Sequence, residues 1–205
     1  MDAPALSTPP ISLRDRKKAR TRSALVAVAE RLFRDQGYEE TTLEQICAEV
    51  EVHVRTLLRY FDSKEHIALA HQYDALERFR AGLLSPSRDV DALTYWRAFV
   101  QDNARRAASD PHFRRHLELC TTVAALTPRW LAIAGELEDL LAAALAQEAA
   151  GTPDAAFRAR LLAALLVGGS TAVLRDWVTS GGTEDLEAVC LAVVDYAVER
   201  LAVSG

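Results

Sequence analysis

Apolar residues recur at helical spacing along most of the chain, and no useful stretch alternates between apolar and polar positions. One face of a predicted first helix carries Leu25, Val28, Leu32 and Phe33. This helix begins near Arg14 or Arg20 and ends at Gln36, because Gly37 stands where a left-handed residue commonly ends a helix. The periodicity predicts an all-α fold.

Two short helices are predicted next, separated by a tight break at residues 51–53. The run Thr41-Thr-Leu-Glu44 matches a capping box, in which a hydroxyl and a carboxylate satisfy free backbone amides at a helix start. The apolar face of this second helix consists of Leu43, Ile46, Cys47 and Val50. A third helix is predicted from Val54 to Phe61. Two helices joined in this way form a helix-turn-helix pattern.

The third helix divides into two faces at 100° per residue. The apolar arc holds Val54, Leu57, Leu58 and Phe61. The opposite arc, which contains no acid, holds His53, Arg55, Thr56, Arg59 and Tyr60. Arginine can donate two hydrogen bonds to guanine, and Thr and Tyr can hold phosphates. The same pattern fits an ordinary amphipathic helix with a solvated face, and the basic segment ahead of it favours the DNA-reading interpretation.

Longer helices are predicted downstream. Ser63 caps a fourth helix that runs to Leu84, and a loop at residues 85–87 follows. Five more helices are expected near 91–108, 110–125, 128–150, 154–180 and 183–203. The last two helices carry apolar stripes, made of Leu161, Leu162, Leu165, Leu166, Val173 and Trp177, and of Leu186, Val189, Cys190, Val193, Val194, Ala197 and Leu201. The stripes favour a bundle shared by two subunits, and burial within one subunit is the alternative.

Composition narrows the class of protein. Half of the 205 residues are apolar, and three cysteines are too few for a disulfide framework, so a reducing cytoplasm is expected. The longest apolar stretch, residues 161–174, has the length of a core helix and is too short to cross a bilayer, so no membrane contact is predicted.

The chain has no catalytic motif of a common enzyme class, and we predict neither an enzyme nor a cofactor. His112 and His116 are four residues apart, but without a clear third ligand we predict no metal site.

Charge is distributed unevenly along the chain. The whole protein has a net charge of −5, yet the first 64 residues carry a net +1 and the remainder a net −6. Residues 14–22 hold six basic side chains and one acid, and residues 1–13 are predicted to be a disordered arm. From the basic segment we expect backbone or minor-groove contacts with DNA by Arg16, Lys17, Lys18 and Arg20.

Residues 17–69 resemble the N-terminal domain of the TetR family of bacterial transcriptional regulators. The matching segments are Arg22…Ala29…Leu32-Phe33…Gly37-Tyr38, Thr41-Thr42-Leu43…Ile46, and Val52…Thr56-Leu57…Tyr60-Phe61…Ser63-Lys64-Glu65. The resemblance implies that Thr42, Thr56, Tyr60 and Lys64 contact DNA. Three positions depart from the family pattern: Glu51 replaces the usual turn glycine, His53 replaces a usual serine cap, and Leu58 replaces a frequent aromatic residue.

The resemblance also implies a three-helix DNA-binding domain at residues 14–64 and a larger helical effector-binding and dimerisation domain at residues 65–205. Large side chains concentrate in the second domain, where we expect an effector pocket lined by Tyr95, Trp96, Phe99, Phe113, His116, Cys120, Trp130, Leu166 and Trp177. Plain core packing of these aromatic residues is the alternative. Because Arg97, Arg105 and Arg106 are close in sequence, an anionic effector is one expectation.

The sequence therefore predicts a cytoplasmic, homodimeric repressor that binds palindromic double-stranded operator DNA and is released by a small hydrophobic or amphipathic effector. Effector binding would move the fourth helix, so that two recognition helices lose the ~34–36 Å spacing of successive major grooves. The alternative is a helix-turn-helix regulator that has no small-molecule effector and acts through protein partners.

Overall fold

The computed structural model describes residues 12–202, and all regular elements in that range are α-helices, which confirms the predicted all-α class. They are α1 (Leu13–Gln36), α2 (Leu43–Val50), α3 (Val54–Leu57), α4 (Lys64–Ala68), α5 (Ala70–Leu83), α6 (Ala92–Ser109), α7 (Pro111–Thr122), α8 (Thr127–Glu148), α9 (Ala155–Thr179) and α10 (Leu186–Ala202). Most of the disordered arm predicted at residues 1–13 lies outside the described residues, but Leu13 already belongs to α1.

The chain forms two compact units, of which the first ends at Ile67 and the second begins at Ala68. In the first unit α1 packs on α2, and α2 packs on α3. Its core consists of the buried side chains Leu25, Ala29, Leu32, Phe33, Ile46, Leu57, Phe61 and Ile67. The functions that the sequence assigned to residues 14–64 and 65–205 stay predictions.

The capping box of α2 lies one residue later than predicted. Thr42, not Thr41, is the N-cap: its hydroxyl accepts a hydrogen bond from the backbone N–H of Gln45, and the Gln45 side chain accepts one from the N–H of Thr42. Thr41 is buried, and its hydroxyl donates to the Gly37 carbonyl oxygen at 2.8 Å. The two adjacent threonines therefore have different roles: Thr42, whose backbone is extended, caps α2, and Thr41 binds the end of α1.

The third helix is regular only over Val54–Leu57, so the predicted end at Phe61 is wrong. Beyond Leu57 the chain continues in tighter turns, in which the N–H groups of Arg59 and Tyr60 donate three residues back. The tighter winding breaks the 100° spacing on which the predicted faces rested. Leu58, assigned to the buried arc, is 49% exposed, whereas Leu57 and Phe61 fill the core.

The predicted fourth helix is divided into α4 and α5 at Leu69, whose backbone (φ −99°, ψ 13°) leaves the α-helical region. Its start is as predicted, since the Ser63 hydroxyl accepts a hydrogen bond from the N–H of His66 at 3.2 Å. Neither glycine nor proline marks the break, so the pattern of residues gave no reason to expect it.

The second unit is a helical bundle in which α9 packs against α8 and α10, α10 packs against α6, and α5 packs against α8. Gly169 allows α9 and α10 to approach closely, because a Cβ atom there would lie 2.6 Å from Val193 Cγ1.

Helix α9 has one buried face and one exposed apolar face. Ala163, Leu166 and Val167 are buried in the unit, whereas Phe157 and Leu165 are exposed. The helix spans 25 residues, more than the apolar stretch at residues 161–174, and by length and composition alone it could cross a membrane, as the core helix of a soluble protein also could. Only 22% of its most apolar segment is buried within this one chain, which leaves its other face for a further contact.

Candidate DNA-binding surface and effector cavity

A basic groove lies in the first unit between the start of α1 and residues 52–60, here called the α3 region. It is lined by Ser12, Arg14, Asp15, Lys17, Lys18, Thr21, Val52, Thr56, Arg59 and Tyr60. Four cations and one carboxylate share this surface, and the carboxylate of Asp15 accepts a hydrogen bond from the Ser12 hydroxyl at 2.7 Å. Because Ser12 also caps α1 through the N–H of Asp15, the basic segment is held as a helix.

The groove brings together Lys17, Lys18, Thr56, Arg59 and Tyr60, five of the residues that the sequence predicted to contact DNA. Of the others, Arg16, Arg20, Thr42, His53 and Arg55 are exposed but do not line it. The Thr42 hydroxyl is the N-cap acceptor of α2 and retains its own hydrogen for donation. His53 is the N-cap of α3 but makes no capping hydrogen bond with its side chain.

Lys64, which the resemblance implied to contact DNA, makes its hydrogen bonds within the protein. Its ammonium group donates to the carbonyl oxygens of Tyr38 at 2.9 Å, Thr41 at 3.0 Å and Glu39 at 3.3 Å. It also lies 4.3 Å from the centre of the Tyr38 ring. An ammonium group has three donors, so these contacts occupy all of them. Lys64 ties the start of α4 to the loop between α1 and α2.

Glu51 adopts the left-handed backbone conformation (φ 56°, ψ 44°) that favours glycine. The N–H of Val52 donates to the Cys47 carbonyl oxygen at 3.0 Å, as in the Schellman motif that commonly ends helices. The turn therefore keeps the geometry typical of a glycine in spite of the Glu side chain. Val52, the next residue, lines the basic groove, whereas Glu51 does not.

The second unit contains an apolar cavity of about 780 Å³, measured out to its open mouth. Its wall is formed by Gln72, Ala75, Trp96, Phe99, Val100, Asn103, Ala104, Phe113, Leu117, Trp130, Ile133, Ala134, Leu137, Val167, Ser170, Thr171, Leu174, Leu186 and Cys190. These residues come from α5 to α10, so the cavity lies among the helices of the unit.

Four of the nine residues predicted to line the pocket do so, namely Trp96, Phe99, Phe113 and Trp130. The other five are placed elsewhere. Tyr95 packs against Gly82, Leu166 is fully buried, and the Trp177 indole donates to the Glu184 carbonyl oxygen at 2.9 Å. His116 and Cys120 are buried together, with 3.5 Å between Nε2 and Sγ.

The arginines that motivated an anionic effector are engaged elsewhere and do not line the cavity. Arg105 binds Glu187 with 2.7 Å between Nε and Oε2, and Arg97 binds Asp195. The hydrogen bonds from these arginines lower the pKa of both carboxyl groups. The guanidinium of Arg106 lies 4.6 Å from the centre of the Phe113 ring.

Five polar wall residues were absent from the sequence-based prediction: Gln72, Asn103, Ser170, Thr171 and Cys190. On α9 a signal was available, since Val167, Ser170, Thr171 and Leu174 have helical spacing within an apolar segment. Burial raises the pKa of the Cys190 thiol to about 11. Within residues 12–202 no group of three or more His, Cys, Asp or Glu side chains is arranged to hold a metal ion.

Comparison with known proteins identifies the family. The profile of the N-terminal domain of bacterial regulatory proteins of the tetR family matches residues 25–71, and that of the MftR C-terminal domain matches residues 90–202. The HTH-type transcriptional regulator TcmR of Streptomyces glaucescens is 34% identical over 187 residues, which cover 88% of this chain and 82% of TcmR.

Solved structures show the same fold. The complex of SmeT with triclosan superposes with a TM-score of 0.64 at 22% identity, covering 88% of this chain and 91% of SmeT. FadR from Bacillus subtilis in complex with stearoyl-CoA gives a TM-score of 0.59 at 17% identity, covering 86% and 97% of the two chains. From these matches we conclude that the chain belongs to the TetR family of bacterial regulatory proteins.

Proposed function

We propose that this regulator is a cytoplasmic repressor that binds operator DNA and is released from it by a small, largely apolar effector. The observation that carries the proposal is the presence of a basic groove in one unit and an apolar cavity in the other. The relatives support both halves, since SmeT is described as the repressor of a multidrug efflux pump and has been solved with triclosan.

The basic groove is the proposed DNA-binding surface. Arg59 is exposed and has no acidic neighbour in the α3 region, so we assign to it a bidentate contact with guanine. Thr56 and Tyr60 hold the DNA backbone, together with Lys17 and Lys18 and the exposed Arg16, Arg20, Thr42, His53 and Arg55. For Lys64 we propose a positioning role, because its three donors bind carbonyl oxygens of the protein.

A second copy of the chain is the proposed partner of the exposed face of α9. Phe157, Leu161 and Leu165 are exposed at successive helical turns, and Tyr196 of α10 is exposed as well. A contiguous apolar patch on a protein surface marks an interaction site. A homodimer also supplies two recognition helices, which a palindromic operator with half-sites one helical turn apart requires.

Operator binding can be tested with Arg59→Ala and Lys17→Ala on DNA selected by the protein itself. We expect Arg59→Ala to weaken specific binding by about 1–3 kcal/mol and to relax the preference at one base pair. Lys17→Ala should weaken binding to all sequences alike and lower the salt slope by about 1. Normal operator binding by Arg59→Ala would contradict the proposed orientation of the α3 region.

Effector release is tested by titrating cavity ligands against the complex of protein and operator. Linkage requires that a ligand weakens operator binding by the same factor by which operator weakens ligand binding. Trp96 and Trp130 line the cavity, so binding should change tryptophan fluorescence and raise the melting temperature. A tight cavity ligand that leaves operator affinity unchanged would favour the alternative, a regulator that acts through protein partners.

A further inference from the structure

We propose that the cavity is built for an uncharged, largely aromatic molecule that presents at least two hydrogen-bond acceptors, and that Gln72, Trp96 and Ser170 recognise those acceptors. The inference rests on the proposed function and specifies the chemical class of the effector. It replaces the anionic effector that the neighbouring arginines favoured.

Three buried polar atoms that belong to residues of the cavity wall have no hydrogen-bond partner among the described residues. They are Gln72 Nε2, Trp96 Nε1 and Ser170 Oγ. Buried polar groups in proteins are nearly always hydrogen-bonded, so a cluster of unpartnered groups requires an explanation. Only four such side-chain atoms occur in the described part of the chain, and three of them belong to residues of this one cavity. Their concentration there indicates a site that a ligand completes.

The chemistry of these three atoms defines the complementary groups of the ligand. An indole N–H and an amide NH₂ can only donate, and a hydroxyl can donate or accept. The ligand therefore needs at least two acceptors, such as carbonyl or ether oxygens, for the N–H groups of Gln72 and Trp96. Gln72 lies on α5, Trp96 on α6 and Ser170 on α9, so one ligand that binds all three connects three helices.

The wall carries no charged side chain that could balance a charge on the ligand. No Asp, Glu, Lys, Arg or His is among its residues. The remaining titratable group is the Cys190 thiol, whose pKa of about 11 keeps it neutral at physiological pH. An ion that entered would lose its hydration without gaining a counter-charge, which strongly disfavours binding. The site therefore selects neutral molecules.

Four aromatic side chains give the cavity its shape preference. Trp96, Phe99, Phe113 and Trp130 line it, and the rings of Trp96 and Phe99 are 5.7 Å apart in a tilted arrangement. Aromatic side chains bind flat rings through offset or edge-to-face contacts. Flat rings that carry neutral oxygen acceptors satisfy both the aromatic wall and the three unpartnered atoms.

Three probes separate these requirements. Flavone is neutral and aromatic and has two acceptor oxygens, 2-phenylnaphthalene has the same ring shape without oxygen, and flavone-6-carboxylate adds a negative charge. Their affinities for the full-length protein can be measured by tryptophan quenching and by thermal shift. We expect flavone to bind at least about tenfold more tightly than either of the other two.

Variants then assign the acceptor contacts to residues. Trp96→Phe, Gln72→Leu and Ser170→Ala should each weaken flavone binding about three- to tenfold and leave the affinity for 2-phenylnaphthalene unchanged. The hydrocarbon is an internal control for folding, because a damaged cavity loses both ligands. Trp177→Phe is the matched control, since the Trp177 indole already donates to Glu184 and does not line the cavity.

Tighter binding of the hydrocarbon or the carboxylate, or no flavone binding up to its solubility limit, would overturn the inference. Equal losses for both ligands in all three variants would also overturn it.

Operator release is measured separately with each probe. Flavone that binds through the three residues but leaves the operator complex intact would refute the proposed function and retain the recognition chemistry. Release of the operator by flavone-6-carboxylate would support the proposed function and refute the recognition chemistry.

Discussion

At the scale of single residues, Glu51 shows how a local cost is tolerated at the turn of the helix-turn-helix. Its left-handed backbone carries a penalty for any residue with a Cβ atom, and it adds a negative charge to the unit that carries the basic groove. The sequence identified this position through its departure from the family pattern. In the structure Glu51 keeps the left-handed backbone conformation in spite of its side chain.

We expect Glu51→Gly to raise the free energy of unfolding by about 0.5–1 kcal/mol, because glycine removes the left-handed penalty. Operator binding should tighten as well, since one negative charge leaves the DNA-facing side. Asp154 is the matched control, because it has the same φ of 56° and lies in the second unit. Asp154→Gly should raise stability, as seen in thermal unfolding, without changing operator affinity. A loss of stability in Glu51→Gly would contradict this account of the turn.

Lys64 is the other residue for which we propose a role different from the one implied by the family resemblance. We expect Lys64→Met to lower the free energy of unfolding by about 1–3 kcal/mol, since three carbonyl oxygens lose a charged donor. The slope of log affinity against log salt concentration should stay that of the wild type. Lys17→Met is the control, and it should lower that slope by about 0.9 without affecting stability. A reduced slope in Lys64→Met would return Lys64 to the residues that bind phosphate.

At the scale of elements, amphipathic periodicity was sufficient to place the long helices. The predicted segment 128–150 corresponds to Thr127–Glu148, and 154–180 corresponds to Ala155–Thr179. Each has an apolar face at helical spacing and a proline or glycine at a boundary, and these signals are local. The long helices could therefore be predicted from neighbouring residues alone.

Features that depend on distant contacts could not be predicted. The break at Leu69 has no glycine or proline to mark it, and no local signal in the residue pattern predicts the tight turns after Leu57 or the exposure of Leu58. For the cavity, the concentration of large side chains was sufficient to predict four aromatic wall residues. The unpartnered polar atoms lie on three helices that are up to about a hundred residues apart in sequence, and nothing local to each residue shows that they share a cavity.

At the scale of the whole molecule, the exposed face of α9 determines where a test of dimerisation must be made. Leu166 is fully buried in a single chain, so an arginine there would disrupt the subunit core rather than a dimer contact. Leu165, its neighbour, is 43% exposed on the apolar face. The same stripe of leucines thus contributes to two different surfaces.

We expect the wild-type protein to sediment as a dimer at micromolar concentration and Leu165→Arg to sediment as a folded monomer, because dimerisation would bury an unpaired charge. Leu84→Arg is the control: Leu84 is an exposed leucine at the end of α5, away from α9 and α10, and this variant should remain dimeric. Leu165→Arg should also lose tight operator binding while its helical circular dichroism is unchanged. A wild-type monomer would refute both the dimer and the spacing mechanism.

All three cysteines of the chain, Cys47, Cys120 and Cys190, are buried, and burial raises the thiol pKa of Cys47 and Cys190. Because the thiolate is the species that reacts with maleimides and methanethiosulfonates, we expect the native protein to react slowly with these reagents. A single cysteine introduced at exposed Arg55 or Glu49 would then react alone, without removal of any native thiol. With a spin label attached there, double electron–electron resonance can measure the distance between the DNA-binding units of the two subunits as effector is added.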